Sequence, residues 1–385
     1  MASVSPQRDV NGRKAARDDH DEQAFEIRTA PVVQIPVHNG PISGIATSSD
    51  GGRLMVTNYG RDSVSVVDTD TCRVVATVAD VDEPFAIAAG PAATDRAYVS
   101  TVSTAYDAID VIDLSTNAVI ASHPLALSVS DLAVSPDGKY VYASRNGVRA
   151  ADVAVLDTTT GQVLDVAETS RAPGITTECV RVSPDGDRVY VGTNGPSGGQ
   201  VVVIETRAPS GRDGRARWRR KKGPGRSGTP CGRTALSVVD TIEIGAAVRD
   251  VALSPDGAVA YVASCGPDLG ALVDVIDTRT KEVTATCKVG EVGGLLTGLT
   301  LSADGDRAYL VSHDCITVLC TLTHDVIGTV RVAKRPSCVV ESPDGQYLYV
   351  ADYSGTVTVA PVASTMAPGI EWTVPELPRR EAALV

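Results

Sequence analysis

Apolar and small or polar residues alternate with a period of two along most of the chain, in short runs broken by turn-forming tetrads. The segment Val251–Val289 shows the pattern most completely. An apolar strand runs into Ser254-Pro255-Asp256-Gly257. Then come Ala260-Tyr261-Val262-Ala263-Ser264, Val273-Asp274-Val275-Ile276-Asp277-Thr278, and finally Glu282–Val289. β-Branched and aromatic residues at alternate positions suit a pleated, half-buried surface. In the tetrad, proline pre-sets φ, aspartate bonds its own backbone and glycine takes a positive φ. Asp277 and Thr278 can accept local amide hydrogens at a second turn. The spacing predicts four antiparallel strands in one small sheet.

This unit recurs seven times, complete or in part. The tetrad reads SSDG at Ser48, SPDG at Ser135, Ser183, Ser254 and Ser342, and SADG at Ser302. In the second unit the sequence aligns AATD at Ala92 with it. The following strand places equivalent residues at Met55, Tyr98, Tyr142, Tyr190, Tyr261, Tyr309 and Tyr349, separated by 43, 44, 48, 71, 48 and 40 residues. Such units cannot bury both faces alone, so they stack, and closing the stack into a ring leaves only short edges. The expected fold is all-β: a seven-bladed β-propeller of four-stranded antiparallel blades. The seventh unit has three obvious strands, ending at Thr356–Ala363. Pro31–Val37 is expected to supply the fourth and close the ring, with Ile370–Val374 as the competing strand. The expected domains are a polar N-terminal arm (1–30, read as disordered), the propeller (31–363) and a C-terminal tail (364–385).

Aromatics make up only 4% of the chain, so the core must come mainly from Val, Ile, Leu and Ala. No apolar run has the length of a signal peptide or a membrane span, which points to a cytoplasmic protein. The 71-residue gap holds an insertion, about 207–235, that includes RARWRRKKGPGR. Within 207–233 ten Lys or Arg face one acid, about +9, whereas the chain as a whole carries −12 and the remainder therefore −21. Rich in Gly, Pro and Arg, this segment is expected to be a disordered loop. It is either a tolerated surface insertion or a hook for an acidic partner. A body of that negative charge repels a phosphate backbone, which argues against nucleic acid.

The strings SPDG-x-x-x-YV and V-x-V-I-D-T-x-T, seen at Ser254–Thr280, Ser135–Thr160 and less completely at Ser183–Thr206, resemble the YVTN-type β-propeller repeat family. The resemblance spans about 31–363 and is specific for fold. That family is in turn compared with lactonase-like propellers, so the resemblance brings in a hydrolase or lyase reading without fixing a reaction.

The eight cysteines form no CxxC pair, and Cys179 and Cys338 fall in a slot that holds Gly44, Ala86 and Gly298 in other units. They read as buried inert thiols in a reducing compartment. Propellers place ligands where inner strands begin. There the chain offers Asn58, Arg145, Asn146, Arg171, Asp314 and Arg335 as rim residues, with His123, His313 and Arg249 as candidate catalytic groups. Asp131 and Asp250 share one repeat slot and Glu178 lies one residue before it, so three carboxylates can converge on the channel mouth. Such a set suits Ca²⁺ or Mg²⁺, and a bound cation can polarise a lactone carbonyl. Alternatively, these acids accept local amide hydrogens and pair with nearby arginines. With no recognisable catalytic motif, the expected function is a non-catalytic propeller that binds a small ligand or protein partner at this rim. The alternative is a divalent-cation-dependent, lactonase-like hydrolase or lyase.

Overall fold

In the computed structural model the described residues are 29–37, 40–103, 106–148, 150–170, 172–207, 235–266, 270–289, 295–332, 335–366 and 370–373. Seven sheets form the ring. Blades 1 to 6 begin with the inner strands Ile42–Thr47, Ile87–Ala89, Ser128–Val134, Thr176–Val182, Ala247–Leu253 and Leu296–Leu301, and each then runs outward in chain order. Blade 7 contributes Pro336–Glu341, Tyr347–Asp352 and Thr356–Pro361. Its outer strand is Val33–Pro36, antiparallel to Thr356–Pro361 with Val33 opposite Val359. The N-terminal strand thus closes the ring, as expected. The competing strand also forms, but elsewhere. Ile370–Thr373 lies parallel to Val326–Arg331 on the outside of blade 6, and Thr29–Pro31 pairs parallel to it in turn. The expected 1–30 arm otherwise lies outside the described residues.

Packing between blades falls into seven hydrophobic clusters, one for each seam. The repeated tyrosine slot fills them. Tyr98, Tyr142, Tyr190, Tyr261, Tyr309 and Tyr349 each pack toward the following blade, and Met55 does so from blade 1. Some hydroxyls reach the next blade too: Tyr261 donates to the Thr321 carbonyl (3.3 Å) and Tyr309 to Glu341 (2.5 Å). Burial pushes the Tyr142 and Tyr349 phenols up to about 12, so both stay neutral.

The tetrad turns gather on one face of the ring. In six of the seven blades the serine hydroxyl donates to the aspartate, as Ser183 does to Asp185 (2.5 Å) and Ser254 to Asp256 (2.6 Å). The aspartate also accepts an amide two residues on through the same oxygen, so its Oδ1 is spent within the turn. The threonine after the third strand then ties the two turns of a blade together. Thr158 donates to the Gly138 carbonyl (2.8 Å) and Thr278 to that of Gly257 (2.7 Å).

The glycine has a second task. Its left-handed backbone (φ +79° at Gly305) leaves room where a side chain would stand, and the proline of the preceding blade fills that room. A β-carbon on Gly305 would lie 2.6 Å from Pro255, and one on Gly138 would lie 2.8 Å from Pro91. Proline–glycine contacts of this kind fasten five seams, from Pro343, Pro91, Pro136, Pro184 and Pro255 to Gly51, Gly138, Gly186, Gly257 and Gly305. At the seam of blades 6 and 7 alanine replaces proline. There the Glu341 carboxylate takes over, accepting the Ala303 amide (3.1 Å) and the Tyr309 hydroxyl.

Blade 2 departs from the sequence alignment. Gly90 and Pro91, not Ala92 and Ala93, stand in the Ser-Pro positions, because the Gly90 amide bonds the Arg96 carbonyl just as Ser135 bonds Tyr140. The turn is one residue longer and ends on Asp95 at φ +45°.

Candidate functional site

Each inner strand that pairs along its length carries a bulge at the same place. In blade 3, Val129 faces Arg145 but Asp131 faces Ser144; in blade 5, Val248 faces Ser264 but Asp250 faces Ala263. The extra residue re-aims the next side chain. Asp131 and Asp250 therefore point at the following blade, where they accept the amides of Val180 (2.9 Å) and Leu299 (3.0 Å). Between them stands Arg181 of blade 4. Its Nη1 donates to Asp131 (2.5 Å) and its Nη2 to Asp250 (2.6 Å). One guanidinium thus joins blades 3, 4 and 5, and Asp250 carries the link on to blade 6. Burial works against the Arg181 charge, but Asp250 and Asp131 more than offset it and raise its pKa. Burial pushes the Asp250 carboxyl up, opposed by Arg181 and two amides. Sequence reasoning missed Arg181. The available signal was its slot, which holds Ala46, Ala88, Ala133, Ala252, Thr300 and Val340 elsewhere.

The third expected carboxylate does not join this pair by any hydrogen bond. Glu178 is the bulge residue of blade 4, and its Oε1 accepts from the Thr176 hydroxyl (2.9 Å). Among the described residues no group of three His, Cys, Asp or Glu side chains is placed to hold a metal ion. Arg249 is the bulge residue of blade 5, half-buried, with its Nε unpartnered.

The other rim residues mostly stitch seams. Asn146 donates to the Thr177 carbonyl (3.0 Å) and accepts its amide (2.7 Å) across the seam of blades 3 and 4. Asn194 does the same to Val248 across the next seam, at 2.8 Å each way. Arg145 is sequestered within its own blade by a buried two-pronged pair with Asp152, at 2.7 and 3.1 Å. Asn58 donates to Ser63 and Ser65 and leaves its buried Oδ1 unpartnered. His313 and the exposed Asp314 sit on the turn between the second and third strands of blade 6. Arg335 is exposed and its carbonyl accepts the Tyr353 amide.

His123 is not on the rim. The outer strand of blade 2 continues through Leu125, and His123, opposite Ile109, lays its ring over Gly161 of blade 3. Arg171 lies outside the described residues.

The loop face also bears exposed aromatics. Tyr59, Phe85, Tyr106 and Tyr353 are four of the five exposed aromatic side chains among the described residues, and they belong to blades 7, 1 and 2. The Tyr59 hydroxyl donates to Glu83 (3.1 Å), which raises the phenol.

Seven cysteines are described, all free. Burial pushes the Cys179 thiol up and that of Cys338 to about 12, so neither is a ready nucleophile. No helix among the described residues is long and apolar enough to cross a membrane. The basic insertion leaves and re-enters at Arg207, paired with Ala235, on the tetrad-turn face; residues 208–234 lie outside the described residues.

No protein-family model matches the chain. A relative in Mycobacterium tuberculosis, the seven-bladed beta-propeller protein Rv1057, is 61% identical over 392 residues, covering 97% of this chain and 99% of that protein. The chain belongs to this family of seven-bladed β-propellers. Among solved structures, hydrazine synthase of Kuenenia stuttgartiensis aligns with a TM-score of 0.69 at 23% identity, over 89% of this chain and 99% of that one. At that identity the likeness concerns the fold alone.

Proposed function

We propose that the protein is a non-catalytic binding propeller whose loop-side rim takes a protein partner or small ligand. The observation that carries this reading is the arc of exposed Tyr353, Tyr59, Phe85 and Tyr106 on three consecutive blades. Rigid amphipathic rings supply much of the affinity at recognition surfaces. Asp62, Asp80, Asp82 and Glu83 lie in the loops beside the arc, so a partner carrying basic groups fits best. The channel acids support the same reading, because Asp131 and Asp250 already serve inter-blade amides and Arg181. Free cysteines favour a cytoplasmic setting. An acidic partner for the basic run 207–235 would meet a separate surface, since that run leaves from the opposite face.

The YVTN-type, lactonase-like character of the repeats supplies the competing outcome. The test is a panel of lactones assayed with Ca²⁺ or Mg²⁺ and with chelator, alongside melting curves under the same conditions. We expect no turnover and no cation-dependent rise in Tm. Cation-dependent lactone hydrolysis that is lost in Asp131→Asn and Asp250→Asn would replace this reading with the hydrolase. In parallel, a photo-crosslinking residue at Phe85 should capture a discrete partner in cells, whereas the same residue at the opposite-face Leu322 should not.

A further inference from the structure

The seam between blades 1 and 2 is fastened differently from all the others. Ser49 stands where five blades carry the fastening proline, and blade 2 offers no turn glycine to receive one. Met55 replaces the tyrosine on the same seam, so no phenol reaches across it. A cleft opens at this place, with a volume of about 260 Å³. Its walls include Ser49 and Asp50 of blade 1 and Pro91, Ala92, Asp95 and Leu114 of blade 2. A second hollow shares Ser49 and Pro91 and carries the depression toward Pro136.

Part of the acceptor capacity in the cleft is unspent, although the Arg53 charge also acts on Asp50. Asp50 uses Oδ1 for the Ser48 hydroxyl and the Gly52 amide, which holds the carboxylate ionised and fixes its direction. Its Oδ2 and the exposed Asp95 carboxylate have no ion-pair partner among the described residues. Apolar Leu114, Pro91 and Ala92 complete the walls. Carboxylates beside an apolar wall suit a cation on an aliphatic stem.

We propose that this cleft binds a small organic cation, a guanidinium or primary ammonium group on a short alkyl chain. The group is carried by a free amine or by an arginine or lysine side chain of a partner. The site lies on the tetrad-turn face, so it is independent of the rim reading above.

The test is calorimetric titration of the full-length protein with agmatine, and separately with an amidated Gly-Gly-Arg-Gly peptide. Asp95→Asn preserves the left-handed turn, which asparagine tolerates, and should weaken binding about tenfold through loss of one charged acceptor. Ser49→Pro, the residue used at other seams, should fill the cleft and abolish binding without lowering Tm. Asp185→Asn, the equivalent of Asp50 at a fastened seam, should leave binding unchanged. Tighter binding of the peptide than of agmatine assigns the cation to a partner; the reverse assigns it to a free amine. Failure of the wild type to bind either probe at millimolar concentration would overturn the proposal. So would Asp95→Asn binding as wild type, or Asp185→Asn weakening it equally.

Discussion

The two faces of the ring are built on opposite plans. On the tetrad-turn face one device is repeated: serine to aspartate, threonine to glycine carbonyl, and proline into the space beside the next blade's glycine. On the loop face no single device runs round the ring. Asn146 and Asn194 clamp two seams, and the Asp131–Arg181–Asp250 set spans four blades. Arg145 and Asp152 are buried against each other, both side chains 8% exposed. The difference separates scaffold from individuality. A face built mostly from one repeated part holds the ring's geometry, which leaves the other face free to vary without opening the ring.

The largest effect is expected from the loop face. Arg181→Leu leaves two carboxylates without their cation and should cost about 3 kcal/mol, the low end for such a loss because the side chain is 31% exposed. Urea denaturation measures it, and adding Asp131→Asn and Asp250→Asn should restore part of the loss. A cost under about 1 kcal/mol would mean that the amide bonds of the two acids suffice.

The turn face yields a graded pair. Gly305→Ala meets Pro255 at 2.6 Å on top of a strained backbone and should cost about 2–3 kcal/mol. Gly186→Ala, whose nearest neighbour is Pro136 at 3.6 Å, should cost only the backbone term of about 1 kcal/mol. Equal costs would show that the turn matters only locally and fastens nothing.

The smallest effect is in pH. Serine hydroxyls and turn amides hold Asp50, Asp185, Asp256, Asp304 and Asp344 below the usual 3.8. A lowered folded pKa adds stability that is present above the unfolded value and lost as pH falls through the folded one. Melting temperature should therefore decline gradually below about pH 4. Asp274 works the other way. Burial raises its carboxyl, so its share of stability is present at low pH and lost as pH rises. Asp274→Asn should thus steepen the acid decline, and Asp256→Asn should flatten it.

The fold was legible because each blade restates the same local chemistry. Alternation set the strands, Ser-Pro-Asp-Gly set the turns, and the tyrosine slot counted the blades. Where a local signal decayed, as at Gly90–Asp95, the alignment slipped by two residues while the blade count stood. Of the expected site, Asp131 and Asp250 did share one slot, but nothing linear linked them to Arg181, 50 and 69 residues away in sequence. His123 was expected among the rim loops, but the outer strand of blade 2 carries it, running on through Pro124 because outer strands tolerate proline at their open edge.

The sequence by itself determined the architecture and the charge imbalance, because both depend on local pattern and composition, whereas the closing strand had two candidates until Val33–Pro36 was found paired with Thr356–Pro361. Only the tertiary structure decided that the turn glycine receives a neighbour's proline, that Arg181 spends the channel acids, and that one seam keeps a cleft at its turn-face end. Those outcomes depend on which residues of adjacent blades face one another, and pairing across a seam leaves no period in a single chain.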